Sequence, residues 1–131
     1  MLTTTRRQFG AFLPGLAFAQ SAPARTLKVV CVGGHPDDPE SGCGGTLARY
    51  VEAGHRVTIV YLTRGEAGIR GKSHEESAAI RTAECMAACK ILGATAVFAG
   101  QVDGATRVDR EAAESLTKLI AAEGPDVLFT Q

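Results

Sequence analysis

One imidazole and three carboxylates fall within six residues of this chain, at His35-Pro36-Asp37-Asp38-Pro39-Glu40. A histidine with a carboxylate makes a mixed nitrogen and oxygen donor set that suits zinc or another divalent transition ion. A second carboxylate beside such an ion can take a proton from water. Pro36 and Pro39 fix two backbone angles, so the side chains between them are held in place and do not sample many poses. The same six residues also describe a rigid turn in which Asp37 or Asp38 caps a following helix. Residue types and spacing leave both readings open.

Glycine-rich segments suggest a second chemistry, the binding of a nucleotide or another small molecule by a non-catalytic α/β module. Gly42-Cys43-Gly44-Gly45-Thr46-Leu47 departs from the dinucleotide fingerprint, because Leu47 stands where the third glycine is needed. Gly71-Lys72-Ser73 ends like a phosphate loop, but five residues before Gly71 stands Glu66, an acid that would repel phosphate. The four cysteines are read as small buried side chains: Cys31 in an apolar run, Cys43 in a glycine-rich turn, and Cys85 and Cys89 one helical turn apart. They are too scattered for a thiolate metal site.

The elements that must position these residues alternate between strand and helix. Residues 27–32 form an apolar run ending in Gly33-Gly34, and residues 56–62 form a β-branched one. Residues 96–99 and 127–130 are shorter strands. Helices are expected over 44–53, 75–92 and 109–122. The long one should turn Ile80, Ala83, Ala87 and Ile91 inward, and the last one Leu116, Leu119 and Ile120. Asp109 is placed to cap the last helix, and Gly54 and Gly93 to end the two before it. This order predicts an α/β, Rossmann-like parallel sheet with helices on both faces. Ligands of such sheets bind at the carboxyl ends of the strands. Residues 33–43, 63–73 and 100–108 leave those ends. His55, at the start of a strand, falls at the opposite end, whereas His74 could approach the rim.

Residues 1–24 stand apart from this pattern. Arg6-Arg7 precedes the apolar stretch 9–19 and a small, polar segment, the order of an export signal. Thr5-Arg6-Arg7-Gln8-Phe9 matches the twin-arginine type, with cleavage expected after Ala19 or Ala24. Eleven residues are too few for a helix that spans a bilayer. The expectation is therefore an exported protein, periplasmic or extracellular, with its domain at residues 25–131 and no stable membrane span. Fourteen basic and fourteen acidic residues cancel, so no basic field is available for nucleic acid. Nothing in the composition specifies an oligomeric state.

His35-Pro36-Asp37-Asp38-Pro39-Glu40, followed by Gly42-Cys43-Gly44-Gly45-Thr46-Leu47, resembles the signature of the LmbE-like (PIG-L) N-deacetylases. Thr63-Arg64-Gly65-Glu66-Ala67-Gly68, then Arg81 and Glu84 with Ala88 and Leu92-Gly93, and finally Asp103-Gly104 extend the resemblance in order along residues 27–131. It implies a metal-dependent hydrolase that removes an N-acetyl group from an amino sugar or sugar conjugate. His35 and Asp38 would hold zinc, or iron or manganese in its place, and Asp37 would be the general base. Arg81 and Asp103 would contact the substrate. The family's third metal ligand follows the fourth strand, so the resemblance also implies that this chain is the front portion of a longer protein, with that ligand beyond Gln131.

Overall fold

The computed structural model describes residues 25–130. The export signal read in residues 1–24 lies outside the described residues. Seven elements follow in strict alternation: β1 (Lys28–Gly33), α1 (Asp38–Glu52), β2 (Arg56–Tyr61), α2 (His74–Leu92), β3 (Thr95–Phe98), α3 (Arg110–Glu123) and β4 (Val127–Thr130). The four strands form one parallel sheet in the order β3-β2-β1-β4, as the strand–helix alternation predicts. Gly33 lies beside Tyr61, and Tyr61 beside Phe98. Three carboxyl ends therefore finish level, and the loops that follow emerge on one rim.

Side chains alternate across the sheet because successive residues of a strand point to opposite faces. Val29 and Cys31 of β1 and Val57, Ile59 and Tyr61 of β2 form one buried cluster with Leu47 of α1 and with Cys85 and Cys89 of α2. Burying side chains such as Leu47 and Ile59 stabilises the domain by roughly 1.5–3 kcal/mol each. Val30 and Val60 are buried on the other face. There Thr58 Oγ1 donates to Glu123 Oε2 of α3 at 3.1 Å, so helices lie on both faces.

Three details differ from the sequence reading. The first helix begins at Asp38 and not at residue 44, with Pro39 in its first turn where no N–H is needed. It is broken at Cys43 (φ −147°, ψ 17°), between glycines that hold a helix poorly. The inward face of α2 is also rotated from the expected stripe. Ser77, Ala78, Cys85 and Cys89 are buried, Ala83 and Ala87 are exposed, and Ile91 is 87% exposed. Small side chains let α2 lie close to the sheet, and this rotation turns Arg81 toward the rim. In α3 the expected Leu116, Leu119 and Ile120 do face inward, but only half-buried. Asp109 caps that helix by accepting from Ala112 N–H at 2.9 Å. Gly93 ends α2 in the left-handed conformation, as expected.

Candidate active site

The site starts where β1 ends. A Cβ on Gly33 would lie 2.6 Å from the Pro39 ring, so only glycine lets the first turn of α1 fold back onto the strand. The chain then turns tightly through His35. The His35 N–H donates to Asp38 Oδ2 at 2.8 Å, and Asp38 N–H returns to His35 O at 3.3 Å. The ring of His35 sits between two carboxylates, with Nδ1 3.2 Å from Asp38 Oδ2 and Nε2 3.0 Å from Asp103 Oδ1. The hydrogen bond to Asp103 raises the His35 pKa above its ordinary value, against the opposing effect of partial burial.

Loops after all three level strands lace this arrangement together. Asp103 Oδ2 accepts from Ala67 N–H at 3.1 Å. Glu66 Oε2 accepts from the N–H groups of Asp103 and Arg64, each at 3.1 Å. Buried Thr63 donates through Oγ1 to Gly34 O at 3.0 Å and accepts from Gly65 N–H at 3.2 Å. Gly65 adopts φ +68°, and a Cβ there would press on Arg81 Cγ at 3.3 Å.

Asp37 has a different environment. Among the described residues it is the one non-glycine with positive φ, at 97°, a conformation that persists only where its surroundings enforce it. Its Oδ2 accepts from Arg81 at 2.6 Å. The same Arg81 nitrogen donates to Pro36 O, and the other terminal nitrogen pairs with Glu84 Oε2 at 2.6 Å. Asp37 is largely exposed, with 61% of its side chain accessible, against 22% for Arg81. An open cleft of about 340 Å³ is lined by His35, Asp37, Gly65, Gly68, Arg81 and Asp103, a volume within the usual range for small-molecule sites. Asp38 faces a second crevice, shared with Cys31, Phe129 and Thr130, which brings the end of β4 to the same rim.

The donor set fits part of a metal centre. Two protein ligands about 2.0–2.1 Å from one tetrahedral zinc stand roughly 3.3 Å apart, and His35 Nδ1 and Asp38 Oδ2 are 3.2 Å apart. Metal-bound histidines commonly donate their other ring nitrogen to a carboxylate, and Asp103 meets His35 Nε2 in that way. Among the described residues, no group of three or more His, Cys, Asp or Glu side chains is arranged to hold an ion. His55 is committed elsewhere: its Nδ1 accepts from Leu27 N–H at 3.2 Å, at the amino end of the sheet. His74 opens α2 as an exposed residue.

The structure thus brings together all five residues expected at the site. Arg81 and Asp103 line the cleft, and each also grips a member of the His35–Asp38 turn. Sequence reasoning missed Thr63 and Glu66 as organisers of the rim, although both stand in the Thr63-Arg64-Gly65-Glu66 segment that it singled out. It also missed the bonds Glu40 makes to Asp37 and to Tyr61.

Fold and site together define an α/β protein with a histidine–aspartate cluster at the carboxyl rim of its sheet. Residues 30–131 match the family model described as PIG-L, GlcNAc-PI de-N-acetylase, and the chain belongs to that family. It is 38% identical over 84 residues to the 1D-myo-inositol 2-acetamido-2-deoxy-alpha-D-glucopyranoside deacetylase of Actinosynnema mirum, covering 57% of this chain and 29% of that protein. Over 125 residues it is 31% identical to the diacetylchitobiose deacetylase of Thermococcus kodakarensis, covering 92% of this chain and 47% of the relative. The N,N'-diacetylchitobiose deacetylase structure from Pyrococcus horikoshii superposes with a TM-score of 0.74 at 32% identity, over 85% of this chain and 43% of that one. The chain therefore spans less than half the length of each of these relatives.

Proposed function

We propose that the protein is a metal-dependent N-deacetylase that removes an acetyl group from an amino-sugar-type substrate. One observation carries the reading. In a member of the PIG-L family, His35, Asp37, Arg81 and Asp103 line a single open cleft, and Asp38 meets His35 at a spacing suited to a shared ion. His35 and Asp38 would hold zinc, with iron or manganese compatible with the same donors. Such an ion supplies Lewis acidity toward the amide carbonyl and lowers the pKa of water.

The remaining work falls to the chain's own residues. Asp37 takes the proton of the attacking water and passes it to the leaving amine as the carbon–nitrogen bond breaks. Arg81 orients that carboxylate through Oδ2. Asp103 fixes the His35 ring from the Nε2 side. Arg81 and Asp103 border the cleft, where they are in reach of sugar hydroxyls. The names of the relatives, which act on acetamido sugars and diacetylchitobiose, support this substrate class. Export through the twin-arginine route belongs to the same proposal and is supported by Arg6-Arg7 ahead of the apolar stretch 9–19. That route carries folded proteins, so metal loading could precede translocation.

The test is acetate release from N-acetylglucosamine and diacetylchitobiose by the full-length protein. Release should stop with a chelator and return on adding zinc. Activity that persists through chelation, or no release from any N-acetyl sugar, would refute the reading.

A further inference from the structure

The left-handed backbone of Asp37 needs something to enforce it, and the Arg81 grip acts only on its carboxylate and on the preceding carbonyl. The Asp37 N–H itself donates to Glu40 Oε2 at 3.2 Å, across the first turn of α1. The other oxygen of Glu40 accepts from the hydroxyl of Tyr61. Tyr61 is the last residue of β2 and is wholly buried. Its ring stacks on Phe98, with centroids 5.5 Å apart, and its hydroxyl lies 3.4 Å from Cys89 Sγ of α2. Burial pushes the Tyr61 phenol well above its ordinary pKa, so it remains a proton donor to Glu40. A buried hydroxyl must be satisfied, and here it donates to Glu40, whose other oxygen accepts from the backbone N–H of Asp37. The link runs without a gap from the β2–α2 core to the strained residue on the rim.

We propose that Tyr61 and Glu40 are positioning residues that hold the backbone of Asp37 in its left-handed conformation and so aim its carboxylate into the cleft. This rests on the deacetylase reading and adds to it two residues that touch neither substrate nor metal. Tyr61→Phe keeps the ring stacking and removes only the hydroxyl. Misdirecting a proton acceptor lowers turnover more than binding, by roughly 10–100-fold for a displacement on the ångström scale.

The experiment is a double-mutant cycle in the full-length protein, reading kcat, KM, bound metal and thermal midpoint. Tyr61→Phe should lower kcat by roughly 10-fold or more, with KM and metal content near wild type. Added to Asp37→Asn, it should cost nothing further, because the group it positions is already disabled. Glu40→Ala should reproduce the pattern even where Tyr61→Phe folds poorly. Glu40→Gln, which keeps an oxygen for the Asp37 N–H, should recover part of the rate. Normal turnover in Tyr61→Phe, an additive loss in the Asp37→Asn background, or equal losses in Glu40→Gln and Glu40→Ala would overturn the proposal while leaving the deacetylase reading intact. A wild-type protein that releases no acetate would overturn the deacetylase reading, and this proposal with it.

Discussion

Asp37 and Asp38 are adjacent in sequence, yet their carboxylates have opposite surroundings. Asp38 turns back onto its own loop, accepting from the His35 N–H and standing beside the imidazole. Asp37 projects the other way, largely exposed and paired with an arginine from a different element. Asp37 stands before α1 with a left-handed backbone and Asp38 is the first residue of the helix, so the two carboxylates leave the chain from different backbone conformations. These surroundings suit the different roles proposed for the two residues. Asp38→Ala should lower both metal content and deacetylase rate, since it removes a proposed ligand. Asp37→Asn should keep the metal and lose roughly 10²–10⁴-fold in rate, the usual cost of a missing general base. Elemental analysis alongside kinetics checks both variants, and the opposite pattern would exchange the two assignments.

At the scale of elements, the site depends on how β1 is joined to α1. The strand delivers Gly33 to the rim, and the Pro39 ring packs against it where a side chain would otherwise sit. Pro39 is buried and its ring cannot swing aside. Gly33→Ala should therefore destabilise the domain by about 1–3 kcal/mol, the usual cost of overpacking, read as a lower urea midpoint. The double variant Gly33→Ala with Pro39→Ala should recover part of the loss, because it removes the atoms that clash. A Gly33→Ala protein as stable as wild type would show that the turn yields more easily than its geometry implies. The rotated face of α2 is the other decision made at this scale. Helical periodicity pointed to Ile80, Ala83, Ala87 and Ile91, but two cysteines and small residues pack against the sheet instead. That choice brings Arg81 to Asp37.

The described residues form a four-stranded sheet whose first strand lies between its second and its fourth. From β1 the chain steps outward through β2 to β3 and then crosses back to β4 on the other side of β1, and such a switch point is where α/β proteins place their ligands. His35 and Asp38 follow β1 directly, which locates the proposed metal beside the crevice shared with Thr130. Among the described residues, no helix is long and apolar enough to cross a membrane. The proposed export is a property of residues 1–24 and can be tested apart from the fold. Replacing Arg6 and Arg7 with Lys should retain the protein in the cytoplasm, as seen by fractionation. Undiminished export of that variant would rule out the twin-arginine route.

Much of this organisation was legible in the sequence because it depends on local chemistry. Apolar β-branched runs bounded by glycine marked the strands, and Asp109 and Gly93 marked helix ends through hydrogen bonds and backbone freedom that reach only a few residues. The cluster at His35–Glu40 was legible for the same reason, since its donors are neighbours along the chain. Tertiary structure decided what lies across distance. The pairing of His35 with Asp103 spans 68 residues, and that of Asp37 with Arg81 spans 44. No periodicity encodes such contacts, because they arise only when three strands end level and their loops meet on one rim. The bond from Tyr61 to Glu40 is of this kind too. In sequence Tyr61 is one more apolar residue of a strand, and only packing against α1 and α2 gives its hydroxyl a partner.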